Sequence, residues 1–373
     1  MRAAYVLRVL IAMTVLGATM VAARGDDALP APLEVHVGGR VRADLENGTF
    51  DYGWPAAYFE ARFRGSSVDV LLDDPQNTLS IEIDGTQIAR LKRPGKTTYQ
   101  IRDLRDAEHI VRVAKLTESF SAYARFGGFR VPDAKNALSP PTRSRQIEFI
   151  GDSYTVGLSD LANKRTCAPA EIVDLTDSDA SYGVLTAKYF KADYSIVAMS
   201  SRGLLRNYSG NDAPNNMQTY YGRTFPYDPD PKYVADPSWS PDVVVVGLGT
   251  NDFLAPLKDG EAWPDIEALH KAFIAAYSGF VARLRAAYPD ALIVLTGIDG
   301  GAGAHGKDVR AVAEQTAANG DGRIIYIPFA GLTLGACNYH PDALDHKKMA
   351  ATLIEAIERR ADVWDITPQR AAR

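Results

Sequence analysis

The sequence predicts two joined folds: a β-sandwich of the jelly-roll kind, then a three-layer α/β domain built on a parallel sheet. Three observations predict this. Residues 33–132 hold short strand-like stretches spaced by turn residues, with no competing helical periodicity. Residues 133–146 are polar and contain Ser139-Pro140-Pro141, a linker composition. From Ile147 onward, apolar runs alternate with helical patterns, which places strands side by side with helices on both faces.

At the start of the chain, Arg2 and Arg8 flank the beginning of an apolar run over residues 9–21, and Ala22-Ala23 supply small residues for cleavage. This is a signal-peptide pattern over residues 1–23 and predicts a secreted or periplasmic protein. The run is short of the roughly 20 residues a membrane span needs. No later stretch is long and apolar enough, so the mature protein is expected to have no membrane span.

In the first domain the strands are expected at 34–37, 57–63, 67–72, 79–83, 97–101, 109–115 and 126–131, with Asp84-Gly85 as a hairpin turn. In the second domain, residues 147–361, strands are expected at 147–150, 194–198, 243–246, 292–296 and 323–327. Helices are expected from Ser153, over 266–287 and over 349–360. In parallel sheets of this kind ligands bind beyond the carboxyl ends of the strands, so chemistry is sought directly after each apolar run.

Four strand ends carry candidate groups. After the first comes Gly151-Asp152-Ser153-Tyr154-Thr155-Val156-Gly157, which sets a serine hydroxyl and N–H at a strand-to-helix turn, with Gly157 letting the helix approach its neighbours. A serine there is equally suited to a plain N-cap. After the second comes Ser200-Ser201-Arg202-Gly203, whose glycine can turn an N–H to the same crevice. After the third comes Gly247-Leu248-Gly249-Thr250-Asn251-Asp252, where the Asn251 amide is a further donor or an Asx cap. After the fifth comes Cys337-Asn338-Tyr339-His340-Pro341. An imidazole is the right type of general base near neutral pH. Of the six histidines, only His340 both follows a core strand and precedes a helix on this side.

Taken together, in this chain order, these four blocks resemble the SGNH hydrolases, also called GDSL esterases. The resemblance covers roughly residues 145–360. A sandwich ahead of such a domain, with Arg202-Gly203, Arg206-Asn207-Tyr208 and Cys337-Asn338-Tyr339-His340-Pro341, resembles carbohydrate esterase family 2 more narrowly. The resemblance implies a serine esterase that deacetylates polysaccharides such as xylan or mannan through an acyl-enzyme, without a cofactor. Ser153 is then the nucleophile and His340 its base, and the oxyanion hole comprises the N–H groups of Ser153 and Gly203 and the Asn251 amide.

One departure matters. Many SGNH enzymes carry Asp three residues before the histidine, and here that position is Cys337. A Ser153–His340 dyad is therefore expected, with either the Asn338 side chain or a main-chain oxygen orienting the ring.

The remaining features limit the alternatives. Cys167 and Cys337 are the two cysteines, and in an oxidising compartment such a pair often bridges. The net charge of −5 and the lack of a basic block argue against nucleic acid. Residues 301–307 have P-loop spacing, but Asp308 occupies the place where Mg²⁺ binding needs Ser or Thr. The cysteines and histidines show no zinc spacing. Asp174, Asp177 and Asp179 suggest a solvated loop or a Ca²⁺ site, and Tyr220-Tyr221 and Trp239 suggest packing or a sugar-lining insertion. The same site would also suit lipid esters, thioesters or cell-wall acetyl groups. A glycan-binding protein with a dead hydrolase half is the alternative outside enzymes.

Overall fold

The computed structural model describes residues 30–119, 123–298 and 305–364. The signal-peptide pattern and the glycine-rich stretch 301–304 lie outside them.

The first domain is a sandwich of two antiparallel sheets. One runs Val41–Asp44, Thr49–Tyr52, Ala124–Val131, Val68–Asp74, Gly95–Ile101. The other runs Ala137–Leu138, Tyr58–Gly65, Ala107–Lys115, Thr78–Ile83, Thr86–Lys92. Period-two alternation sends Phe59, Ala61, Phe63, Val111 and Val113 from one sheet to meet Val68, Val70, Leu72, Phe126 and Phe129 from the other. Phe59 and Phe126 stack at the centre, 4.3 Å between centroids.

Several strands are additions to the sequence reading. Val41–Asp44 and Thr49–Tyr52 are only four residues long, too short for their alternation to stand out. Thr86–Lys92 is a mostly exposed edge strand without strict alternation. The Asp84-Gly85 turn joins it to Thr78–Ile83, with both residues at positive φ, 52° and 78°. The stretch read as a linker is partly structured: Ala137–Leu138 extends the second sheet by pairing with Phe63 and Arg62.

The second domain has a five-stranded parallel sheet in the order Asp193–Ala198, Gln146–Gly151, Val243–Gly247, Leu292–Ile298, Ile324–Phe329. Its strands are apolar at nearly every position because both faces are covered. Phe149, Val245 and Val294 face the helices Tyr182–Phe190 and Ala343–Glu358. Ile150, Val244, Val246, Ile293 and Leu295 face the helices Ile266–Ala287 and Gly306–Ala318. The last helix begins at Ala343, six residues earlier than periodicity alone suggests, because Asp342 caps it by accepting the N–H groups of Leu344 and Asp345.

The chain steps from Gln146–Gly151 to one side and then crosses to the other, so the switch point of the sheet lies at the carboxyl end of that strand. Register places Gly151 level with both Ala198 and Gly247. The blocks carrying Ser153, Gly203 and Asn251 therefore leave the sheet from one line.

The sandwich docks on this domain through shared core and charge. Tyr58 and Ala114 pack into the same apolar cluster as Ile147 and Tyr194. The acidic residues 174, 177 and 179 are not a free solvated cluster: Arg90 and Arg112 of the sandwich pair with Asp177 and Asp179, and Lys92 makes an exposed pair with Asp174. Burial would raise the Asp179 carboxyl, but Arg112 and Lys188 hold it well below the usual carboxylate range.

Candidate active site

Ser153 opens a helix of only four residues, Ser153–Val156. Asp152 caps it, its Oδ1 accepting the Tyr154 N–H at 3.0 Å. Gly157 is the C-cap at φ 77°, a left-handed conformation that ends the helix at once. Gly157 also sits close to its neighbours, as the sequence suggests: a Cβ there would lie 3.1 Å from Ser181 Cβ. So short a helix has little macrodipole, and local N–H groups must supply any stabilisation of negative charge. The Ser153 N–H, at the first helical position, is among the donors a helix leaves without an internal partner. Gly151 is required by space: a Cβ there would lie 1.9 Å from Thr155 Oγ1.

His340 reaches Ser153 from the other side of the crevice. Its Nε2 lies 2.9 Å from Ser153 Oγ, and its Nδ1 lies 2.8 Å from the carbonyl oxygen of Cys337. A carbonyl only accepts, so Nδ1 carries the proton and Nε2 presents its lone pair to the hydroxyl. Of the two orienting groups left open by the sequence, the main chain is the one in contact; Asn338 is exposed and sits at φ 54°. Burial lowers the His340 pKa below its ordinary value, opposed in part by the Cys337 carbonyl. The ring packs edge-on against Tyr154, whose hydroxyl donates to the Tyr339 carbonyl at 3.2 Å.

Cys337 is also bonded through sulfur: a disulfide joins it to Cys167, 170 residues away in sequence. Asn338 N–H donates to the Arg165 carbonyl at 2.7 Å, and Arg165 lies over the exposed Tyr339 ring. The loop bearing His340 is thus tied to residues 165–167 by covalent, hydrogen-bond and cation–π contacts.

Asn251 links the other blocks. Its amide nitrogen donates to Asp152 Oδ2 at 3.2 Å and to the Arg202 carbonyl at 3.1 Å. Gly203 N–H, on the far side of that same peptide, donates to Asn207 Oδ1 at 3.2 Å. Both Gly203 N–H and the Asn251 amide are held by protein acceptors that an incoming oxyanion would have to replace. Gly203 admits no side chain: a Cβ would lie 2.0 Å from the Arg206 carbonyl oxygen and 2.4 Å from Asp252 Oδ2.

Two carboxylates beneath the crevice were given no role from sequence. Asp252 accepts the N–H groups of Leu204, Leu205 and Arg206, all at 2.8–2.9 Å, and so shapes the turn after Gly203. Burial pushes its pKa up to about 6 against those donors. Asp152 is pushed up to about 7 by burial, opposed by the Tyr154 N–H and reinforced by the Asp252 charge. Both stand inside motif blocks already singled out, and that adjacency was the available signal.

Of the other histidines, His346 is buried and accepts the Tyr182 N–H on Nδ1, a structural role, with burial lowering its pKa to about 4. His270 contacts Asp308, the residue that spoils the P-loop pattern. Tyr220 and Tyr221 are packed by arginines: Arg223 lies 4.0 Å above the Tyr220 ring and Arg40 lies 4.6 Å from the Tyr221 ring. Among the described residues no helix is long and apolar enough to cross a membrane.

Comparison with known proteins follows the same division of the chain. Residues 37–141 match the family described as Carbohydrate esterase 2 N-terminal, and residues 149–357 match the GDSL-like Lipase/Acylhydrolase family. An acetylxylan esterase / glucomannan deacetylase of Cellvibrio japonicus is 38% identical over 336 residues, spanning 89% of this chain and 93% of that protein. Cellulase/esterase CelE of Acetivibrio thermocellus is 27% identical over 85% of this chain, which matches 39% of that longer protein. Among solved structures, a carbohydrate esterase described as having divergent catalytic and non-catalytic binding functions in its active site superposes with a TM-score of 0.84 at 37% identity, covering 90% of this chain and 100% of that one. A family two carbohydrate esterase from Clostridium thermocellum, in complex with cellohexaose, gives 0.76 at 25% identity over 88% of this chain and 100% of that one.

Proposed function

This chain belongs to carbohydrate esterase family 2, with a hydrolase domain of the GDSL type, and on that premise we propose that it removes O-acetyl groups from polysaccharides such as xylan or mannan. The observation that carries the reaction is the Ser153–His340 contact of 2.9 Å, with His340 held in the proton-accepting tautomer by the Cys337 carbonyl.

In this reading Ser153 Oγ attacks the acetyl carbonyl carbon while His340 Nε2 takes its proton. The developing oxyanion accepts from the Ser153 N–H and draws the Gly203 N–H from Asn207 and the Asn251 amide from the Arg202 carbonyl, because a full negative charge is a stronger acceptor than an amide oxygen. Donors of this kind are each worth about 10²–10³ in rate. His340 then gives its proton to the departing sugar oxygen as the C–O bond breaks. Water, deprotonated by His340, attacks the acetyl-serine, and acetate leaves with Ser153 restored. The polysaccharide assignment rests on the relatives' activities. Export to a secreted or periplasmic site is supported by the N-terminal pattern and by the Cys167–Cys337 bridge.

The test is acetate release from acetylated xylan, acetylated glucomannan and 4-nitrophenyl acetate, comparing wild type with Ser153→Ala. Serine-dependent release from a polysaccharide supports the reading. Release from the nitrophenyl ester alone keeps the site and rejects the polysaccharide. No serine-dependent release from any of them rejects the acetyl esterase reading and favours another acyl substrate or a glycan-binding protein.

A further inference from the structure

Glu118 belongs to the sandwich, just past the strand Ala107–Lys115, yet its carboxylate enters the catalytic domain. Oε1 accepts the Ser200 N–H at 2.6 Å. Ser200 is the second residue of a turn closed by the Arg202 N–H on the Met199 carbonyl at 3.3 Å, with Ser201 at φ 64°. Such a turn uses the N–H of its last residue and leaves that of its second residue to find an acceptor elsewhere. Here that N–H points into the interface between the domains, where an unmade hydrogen bond is costly.

Glu118 is itself buried, at 4% exposure, and its Oε2 makes no hydrogen bond among the described residues. Burying a carboxylate is expensive unless its bonds are used. Ser200 N–H is its short bond, and the charges of Lys115 and Arg202 favour its ionised form against the burial that raises its pKa.

The turn runs straight into the Arg202–Gly203 peptide. The carbonyl of that peptide accepts from Asn251, and its N–H is the Gly203 donor. Any shift of the turn therefore moves one proposed oxyanion donor and the anchor of the other.

We propose that Glu118 is a positioning residue for ester hydrolysis, by which the sandwich domain holds the turn that presents the Gly203 N–H. The inference rests on the reading of Gly203 and Asn251 as oxyanion donors. It gives the sandwich a part in turnover without contact to the substrate: it acts as a strut behind the oxyanion hole.

The experiment is steady-state hydrolysis of 4-nitrophenyl acetate by the full chain, comparing wild type, Glu118→Ala, Glu118→Gln, Glu118→Asp and Ser153→Ala, with thermal unfolding of each. A misplaced donor loses most of its contribution to the transition state, so Glu118→Ala is expected to lower kcat at least ~10-fold with KM within about twofold. Glu118→Gln keeps an accepting oxygen at the same reach and is expected within about threefold of wild type. Glu118→Asp keeps the charge but withdraws the oxygen, and is expected to fall with Glu118→Ala; it carries the test if the alanine variant does not fold. Wild-type kcat in both Glu118→Ala and Glu118→Asp overturns the proposal, as does Glu118→Gln falling as far as Glu118→Ala. Full turnover by Ser153→Ala overturns the site reading itself, whereas an inactive Ser153→Ala beside an unaffected Glu118→Ala overturns only the role of Glu118.

Discussion

His340 donates its Nδ1–H to the carbonyl oxygen of Cys337, three residues earlier, at 2.8 Å. Where many SGNH hydrolases set an aspartate, this chain uses the main chain of the same position. A carbonyl fixes the tautomer and the ring orientation as a carboxylate does, but adds only a dipole to stabilise the imidazolium. The Cys337 peptide is kept in place by the bond to Cys167, by the Asn338 N–H on Arg165, and by the buried Ala336–Cys337 segment.

The first prediction concerns Asn338. Its side chain is exposed beside a ring already held by the main chain, so Asn338→Ala should lower kcat/KM by less than about tenfold, roughly 1.4 kcal/mol. A greater loss in nitrophenyl acetate kinetics would return the orienting role to the Asn338 amide.

The pH profile is the second. The proposed mechanism needs neutral His340, and burial lowers its pKa below the ordinary 6.5. A depressed value keeps the base unprotonated further into acid, so the acid limb of kcat/KM should fall below pH 6.5. Measured limbs at or above that pH would mean that another group governs the free enzyme.

A third prediction separates binding from turnover. Asn251 gives its amide to Asp152 and Arg202 at rest and is proposed to shift to the oxyanion in the transition state. Asn251→Ala should therefore lower kcat by about 10²–10³ with KM nearly unchanged. A raised KM at constant kcat would contradict that assignment.

The fourth is stability. The Cys167–Cys337 bridge closes a loop of 170 residues, which restricts the unfolded chain strongly. Cys167→Ser should lower unfolding free energy by about 2–4 kcal/mol in urea titration. Equal stability of wild type with and without a thiol reductant would argue against that contribution.

Much of this molecule is legible without coordinates, for a definite reason. Strands buried on both faces, such as Val243–Gly247, are apolar throughout, and their ends mark the switch-point crevice. Ser153, Gly203 and Asn251 could be picked out because each closely follows such a strand end, and His340 because it lies between the last strand and the last helix. Local sequence also carried the sandwich's inner strands and the Asp84-Gly85 turn, since these depend on near-neighbour patterning.

Contacts between residues far apart in the chain left no such trace. Nothing local to Cys337 says that its sulfur meets Cys167, 170 residues away. Nothing local to Asp174, Asp177 and Asp179 says that three cations of the sandwich neutralise them. Glu118 reads as an ordinary polar residue after a strand until the domains dock and bring it to Ser200, 82 positions away. Periodicity records which face of an element is buried; it carries no information about which partner covers that face. The carboxylate pairs and the Glu118 contact arise only when the sandwich and the parallel sheet close on each other, whereas the Cys167–Cys337 pairing that anchors the His340 loop arises as the second domain folds on itself.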